Sequence, residues 1–142
     1  KGHLTIMWNV LFDNAYNDGC DYFLQCGDDI IFITNGWLDD SIKILKNYDD
    51  LGVTGPLCNN ARILTQTIVS RKHMDIFKFY FPRIIINWFC DDWITEVYKP
   101  DNSIHINDIF VKNLVMDRYQ IKNINNEIQK LFIITNHNFK NL

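Results

Sequence analysis

The chain is poor in the features that mark several protein classes. Glycine and proline number only six and three among 142 residues. There is no repeat, no low-complexity tract and no linker-like stretch, so the chain reads as one domain, residues 1–142. Positive charge is not in excess. Fourteen Lys and Arg face seventeen Asp and Glu, for a net charge of −3. That argues against a protein living on nucleic-acid phosphates, which needs a basic face. No apolar run approaches the roughly 18 residues of a membrane span. No apolar leader is visible either, because Lys1-Gly2-His3 runs straight into an amphipathic pattern. The chain does not begin with Met, which suggests a piece of something longer. Cys20, Cys26, Cys58 and Cys90 form no CxxC pair and have no His at zinc-finger spacing. They read as buried, reduced thiols of an intracellular protein, in host cytoplasm or virion. What the chain does have is hydrophobic residues at 47% against 22% charged. A domain of this size buries roughly 70% of its unfolded surface, enough for its own core. The 21 Ile and 17 Asn suggest an AT-rich genome and carry no chemistry.

Leu4, Met7, Trp8, Leu11 and Ala15 make one stripe of a helix over residues 4–18. Asn17-Asp18-Gly19 stops it, with Gly19 suited to a left-handed cap. Residues 21–26 are short and aromatic-rich, as a buried strand is. Gly27-Asp28-Asp29 interrupts, and Ile30 to Ile33 resumes the apolar run. Asn35-Gly36 is a turn, and Trp37 to Tyr48 a helix with Leu38, Ile42 and Leu45 on one face. Residues 52–56 and 63–69 read as strands, separated by a loop through Asn59-Asn60. His73 to Tyr80 reads as a short helix or turn, and Cys90 to Tyr98 as a helix. Residues 104–106 and 109–111 alternate like edge strands. Ile124, Ile128, Leu131, Phe132 and Phe139 space out a final helix. The order implies an α/β or α+β fold.

Three stretches hold residues capable of chemistry. In Gly27-Asp28-Asp29, two adjacent carboxylates end a strand beside the core, where repulsion and desolvation both cost free energy. Exposure at a turn offsets that cost, and so does a divalent cation. Magnesium and manganese accept carboxylate oxygens, with phosphate and water completing the shell. A tight turn capped by Asp29 explains the motif as well. In Asn87-Trp88-Phe89-Cys90-Asp91-Asp92-Trp93, two further acids begin a helix, where the dipole and free N–H groups stabilise carboxylates. The flanking Trp88 and Trp93 add the aromatic walls of a sugar- or base-binding cleft. In Leu64 to Asp75, Thr65 and Gln66 with neighbouring hydroxyls and cations suit a polar pocket. The Arg71-Lys72 pair reads as solvated, and a lone His73 as a surface or core residue.

These motifs, in this order, resemble the later two-thirds of a nucleotide-sugar glycosyltransferase of the GT-A fold. The likeness is to glycosyltransferases of giant DNA viruses such as mimivirus, and of some protists. It rests on residues 21–30, Gly36-Trp37, Gly52 to Pro56, Leu64-Thr65-Gln66, residues 73–77, Tyr80-Phe81-Pro82, residues 87–94 and Arg118-Tyr119. The resemblance implies the C-terminal portion of a Rossmann-like mixed sheet flanked by helices, without the first nucleotide-binding half. It implies a metal-dependent, inverting transfer of sugar from a nucleoside-diphosphate sugar to a hydroxyl acceptor. Asp29 would hold Mn²⁺ or Mg²⁺ on the donor diphosphate, and Asp28 would contact the ribose or assist the metal. Asp91 would contact the sugar and Asp92 would act as base. Trp88 or Trp93 would wall the acceptor, with Thr65 and Gln66 also lining the substrate site. Two departures stand out. The upstream half is missing, which implies that the fragment alone is inactive. Where relatives supply a late His to the metal, this chain has Asn113, with His105 nearby.

Two other readings compete. Gly27-Asp28-Asp29 between apolar strands also resembles the metal hairpin of an RNA polymerase palm, which requires residues 22–33 to form one hairpin. A non-catalytic module is the other, in which an exposed sheet edge and apolar surface favour a homo-oligomer.

Overall fold

The computed structural model describes residues 3–58 and 62–114. Over these residues the fold is α/β, with four helices and a five-stranded mixed, curled sheet. Helix α1 spans Leu4–Asn17, strand β1 Tyr22–Gln25, and β2 Ile30–Phe32. Helix α2 spans Trp37–Asn47, β3 Val53–Leu57, β4 Thr67–Ser70 and α3 Arg71–Phe77. Helix α4 covers Cys90–Val97 and β5 Ser103–Asn113. The expected final helix and Arg118-Tyr119 lie outside the described residues.

The strand order is β1-β4-β3-β5-β2. β4 runs antiparallel to both β1 and β3, β5 runs parallel to β3, and β2 runs antiparallel to β5. Consecutive strands β1 and β2 therefore do not pair with each other. Gly27-Asp28-Asp29 instead carries the chain between the two ends of the strand order. The palm hairpin is absent: the chain leaves the acid turn through β2 and enters α2.

Residues 104–106 and 109–111 do not form separate edge strands. They belong to β5, one 11-residue strand held on both sides by β3 and β2. The register shifts between Pro56 and Leu57, whose partners are Ile106 and Phe110. That bulge breaks the alternation in the sequence and disguises the continuity. The strand expected over 63–69 is likewise shorter, because residues 63–66 turn toward the site described below.

The central correction concerns α1. Its sequence stripe predicts Met7 and Leu11 inside. Instead Thr5, Asn9 and Phe12 are the buried positions, while Ile6, Met7, Val10 and Leu11 are each about half exposed. The reason is hydrogen bonding. The Asn9 Nδ2 donates to the Phe81 carbonyl at 2.7 Å, and its Oδ1 accepts from the Tyr80 and Phe81 N–H groups at 3.0 and 2.8 Å. The Thr5 hydroxyl donates to the Ile85 and Ile86 carbonyls. The irregular 80–86 segment has few strand or helix partners of its own, so α1 supplies them. Phe12 then stacks on Tyr80 at 3.8 Å and meets Phe23 of β1 edge-on at 6.0 Å.

On the helix side of the sheet the core gathers Phe12, Phe23, Leu64, Tyr80, Phe81, Trp93, Ile94 and Tyr98. His73 is fully enclosed there. One ring nitrogen meets the Tyr98 hydroxyl at 2.8 Å and the other the Tyr80 carbonyl at 3.0 Å. Burial lowers its pKa to about 4, so it sits neutral in the core. Arg71 is not merely solvated: it donates to the Tyr16 and Cys20 carbonyls and lies 3.8 Å over the Tyr16 ring. All four cysteines are free thiols. Only Cys90 is buried, Cys26 and Cys58 are intermediate, and Cys20 is exposed, against the expectation of buried thiols throughout.

Candidate functional site

Asp29 lies on the floor of the site. Its backbone carbonyl accepts from the Leu114 N–H at 2.9 Å, which ties the acid turn to the end of β5. The Gly27 N–H donates to the Gln66 Oε1 at 3.3 Å, which ties the same turn to the approach of β4. A Cβ at position 27 would stand 2.5 Å from Asp29 Oδ1, so any side chain there would displace the Asp29 carboxylate. The Asp29 carboxylate is folded over the space that a side chain would fill. Gly55 matters in a similar way: a Cβ would lie 2.0 Å from the Gln66 carbonyl, so β3 can approach the Gln66 segment only as glycine.

A cleft of about 430 Å³ opens beside this turn. Asp29, Gly27 and Asn113 line one side. Trp88, Asp91 and Asp92 line another, and Thr65, Gln66 and Arg62 complete the wall. A second hollow of about 480 Å³ shares Leu4, Trp8, Gly27 and Asp29 with the first and adds Met7, Cys26 and Asp28. Asp29 thus shares one cleft with Asp91 and Asp92, more than 60 positions away in sequence, while Asp28 lines only the adjoining hollow.

Helix α4 presents the second pair. Phe89, with a left-handed φ of 74°, turns the chain so that Asp91 and Asp92 fall in the first helical turn, where the dipole favours negative charge. The two carboxylates then have different surroundings. Asp92 Oδ1 accepts from Arg62 Nη2 at 2.9 Å. The Asp91 carboxyl is sunk in the cleft wall, beside the Cys90 thiol at 3.5 Å. Its pKa is raised to about 7, chiefly by burial; the Cys90 thiol opposes the rise and the Asp92 charge adds to it. Cys90 itself is pushed well above the usual thiol range, chiefly by burial, so it is no nucleophile at neutral pH.

The two tryptophans separate. Trp88 is 43% exposed and lines the cleft. Trp93 is fully buried among His73, Phe77 and Phe79, so it builds core and cannot wall a ligand. Helical spacing accounts for this: Trp93 follows Asp92 on the inward face of α4, with Ile94 and Val97. Thr65 and Gln66 are both at the cleft, as expected. Thr65 Oγ1 also lies 2.8 Å from Cys58 Sγ. His105 is only partly buried, on a parallel-paired part of β5, and does not line either hollow.

Two participants had no sequence signal. Arg62 is an isolated cation in a loop, and only the fold brings it to Asp92. Asn113 was noted only as the residue standing in place of a histidine. The residue lines the cleft, and its Oδ1 is buried with no hydrogen-bond partner among the described residues. Among those residues no three His, Cys, Asp or Glu side chains converge on one point. The donors near Asp29 are instead carboxylate and amide oxygens. A hard cation such as Mg²⁺ or Mn²⁺ takes one or two protein carboxylates and completes its shell from phosphate and water. The residues fit a cation held jointly with a phosphate ligand, and they do not fit a self-sufficient protein cage. No protein-family model, curated protein or solved structure matches this chain.

Proposed function

We propose that the cleft is the later part of a glycosyltransferase site of the GT-A type. It would transfer a sugar from a nucleoside-diphosphate sugar to a hydroxyl acceptor with inversion. The observation that carries this proposal is the convergence of Asp29 with Asp91 and Asp92 on one cleft beside the exposed ring of Trp88, with Asp28 in the adjoining hollow. Arg62 already engages Asp92, but Asp29 and Asp91 share the same cleft, where a cation and a substrate would offset their charge when both are ionised. Asp29, with Asp28 from the adjoining hollow, would hold Mn²⁺ or Mg²⁺ against the donor diphosphate. When bound, that cation supplies charge stabilisation to the departing diphosphate. Trp88 would stack on a sugar ring, and Thr65 and Gln66 would border the substrate.

The reading also accounts for apolar surface on the far side of α1. Ile6, Val10 and Leu11 are each about half exposed, and β1 is terminal in the strand order. An upstream nucleotide-binding half would cover both. The palm alternative has lost its hairpin and is not pursued.

The test is ligand-induced thermal protection of the full-length protein. Mn²⁺ together with UDP should raise Tm, and Mn²⁺ alone should do so far less, because the described residues bring no three His, Cys, Asp or Glu side chains together. Asp29→Ala should abolish the protection. Protection that survives this change would remove Asp29 from the metal role, and none in wild type with any nucleoside diphosphate would overturn the function.

A further inference from the structure

We propose that Asp91, and not Asp92, takes the proton from the acceptor hydroxyl, and that Arg62 is the positioning residue that separates the roles of the two acids. This rests on the transfer function proposed above and reverses the order that the resemblance implies.

Adjacent aspartates at a helix start are indistinguishable in sequence. Their environments are not alike. The Asp92 carboxylate is engaged at 2.9 Å by Arg62, a guanidinium that stays charged at any relevant pH. An oxygen so engaged already has a donor on its lone pair and is less open to an acceptor hydroxyl. Asp91 lies deeper in the wall of the same cleft, and its hydrogen bond from the Cys90 thiol is long, at 3.5 Å. The groups facing it are Cys90 and Asp92 on its own helix, Tyr80 behind it, Asp29 across the cleft and Arg62 at the rim. Arg62 is the one cation among these. Such surroundings favour the neutral acid, in line with a pKa raised to about 7 by burial. A base working near neutrality should titrate there.

A second, independent feature points to a ligand in this space. The Asn113 Oδ1 is a buried acceptor with no partner among the described residues. A buried acceptor left unmet costs free energy, and a substrate hydroxyl entering the cleft would meet it. In the step itself, an acceptor oxygen lone pair forms the bond to the anomeric carbon. The bond from that carbon to the diphosphate oxygen breaks, and its electron pair leaves with the diphosphate. The acceptor's hydroxyl proton passes to the Asp91 carboxylate and later to solvent. Arg62 touches no reacting atom; it engages Asp92 at 2.9 Å beside the acid that takes the proton.

The experiment uses full-length protein with Mn²⁺ and a nucleoside-diphosphate sugar. Asp91→Asn should keep thermal protection by Mn²⁺ and UDP while transfer falls about a thousandfold. Asp92→Asn should lose far less. The acidic limb of the kcat/KM profile should have its midpoint near neutral pH. Arg62→Ala should move that limb to higher pH, since removal of a cation disfavours ionisation of its neighbours, and Arg62→Lys should restore it. Transfer that survives Asp91→Asn and dies in Asp92→Asn overturns the inference, as does a limb unmoved by Arg62→Ala. A second measurement needs no turnover: carbon-13 NMR of the Asp91 carboxyl. A midpoint in the ordinary carboxylate range overturns the assignment; one near neutrality, raised by Arg62→Ala, upholds the separation of the pair. Absence of both protection and transfer would defeat the transferase reading by itself and leave this titration to decide.

Discussion

Replacing Asp91 by Asn should make the protein more stable at pH 8, even though it removes the group assigned to catalysis. In the folded state burial holds the Asp91 pKa at about 7, against 3.8 for an ordinary aspartate. The folded chain therefore binds the proton that the unfolded chain releases between these values. For a raised acid the sign is clear: stability is unpenalised below pH 4 and falls as pH rises toward 7. At about 1.4 kcal/mol per pH unit, a gap of about three units corresponds to at most about 4 kcal/mol. The side chain borders an open cleft, and solvent screening brings the expected gain nearer 2 kcal/mol. The amide of Asn fills the same volume and never ionises. The assay is urea denaturation of both proteins from pH 4 to 8, read as the difference between them. His73 titrates in this range too: its lowered pKa means that stability is lost as pH falls from 6.5 toward 4. It contributes equally to both proteins and cancels. The difference should be near zero at pH 4 and grow steadily to pH 7. A flat difference, or an Asn variant less stable at pH 8, would refute the claim that Asp91 is buried at an electrostatic cost.

Two further outcomes follow from the packing. Asn9→Ala removes one donor and one acceptor that together satisfy three backbone groups of Tyr80 and Phe81, and should destabilise by about 3 kcal/mol; a loss under 1 kcal/mol by chemical denaturation would mean that water replaces the side chain easily. The two tryptophans should respond in opposite ways. Trp93→Ala should cost about 3–5 kcal/mol as a buried ring is lost, whereas Trp88→Ala should leave Tm within about 2 °C of wild type and weaken acceptor binding. Equal effects on Tm would contradict the separation of core and cleft.

The elements were legible where local chemistry is decisive. The helix beginning at Leu4 ends next to Gly19, which has the left-handed φ of 86° that a cap requires. Trp37–Asn47 follows a left-handed Gly36, as the Asn35-Gly36 turn suggests. The helix over 90–97 was also visible, with its two acids in the first turn. The inward face of α1 was not legible. Amphipathic periodicity assumes that burial follows hydrophobicity, whereas this helix is oriented by the unmet backbone groups of residues 80–86. β5 was hidden in a similar way, by a bulge that breaks the period-two pattern. Trp88 and Trp93 look alike in a sequence, and only the rotation of α4 sends one to the cleft and the other to the core.

The amino-acid order alone therefore determined the kinds of element, their approximate limits and the presence of two acid pairs at element boundaries. These depend on turn chemistry, capping and side-chain spacing, all of which act within a few residues. The tertiary structure decided that Asp29 shares a cleft with Asp91 and Asp92, that Arg62 and Asn113 join them, and that Asp91 and Asp92 have unequal surroundings. Those facts depend on a curled sheet whose strand order β1-β4-β3-β5-β2 places the acid turn, β5 and the start of α4 side by side. Burial and charge pairing are properties of that enclosure, because an ion's desolvation is set by every neighbour in space and not by those next to it in the chain.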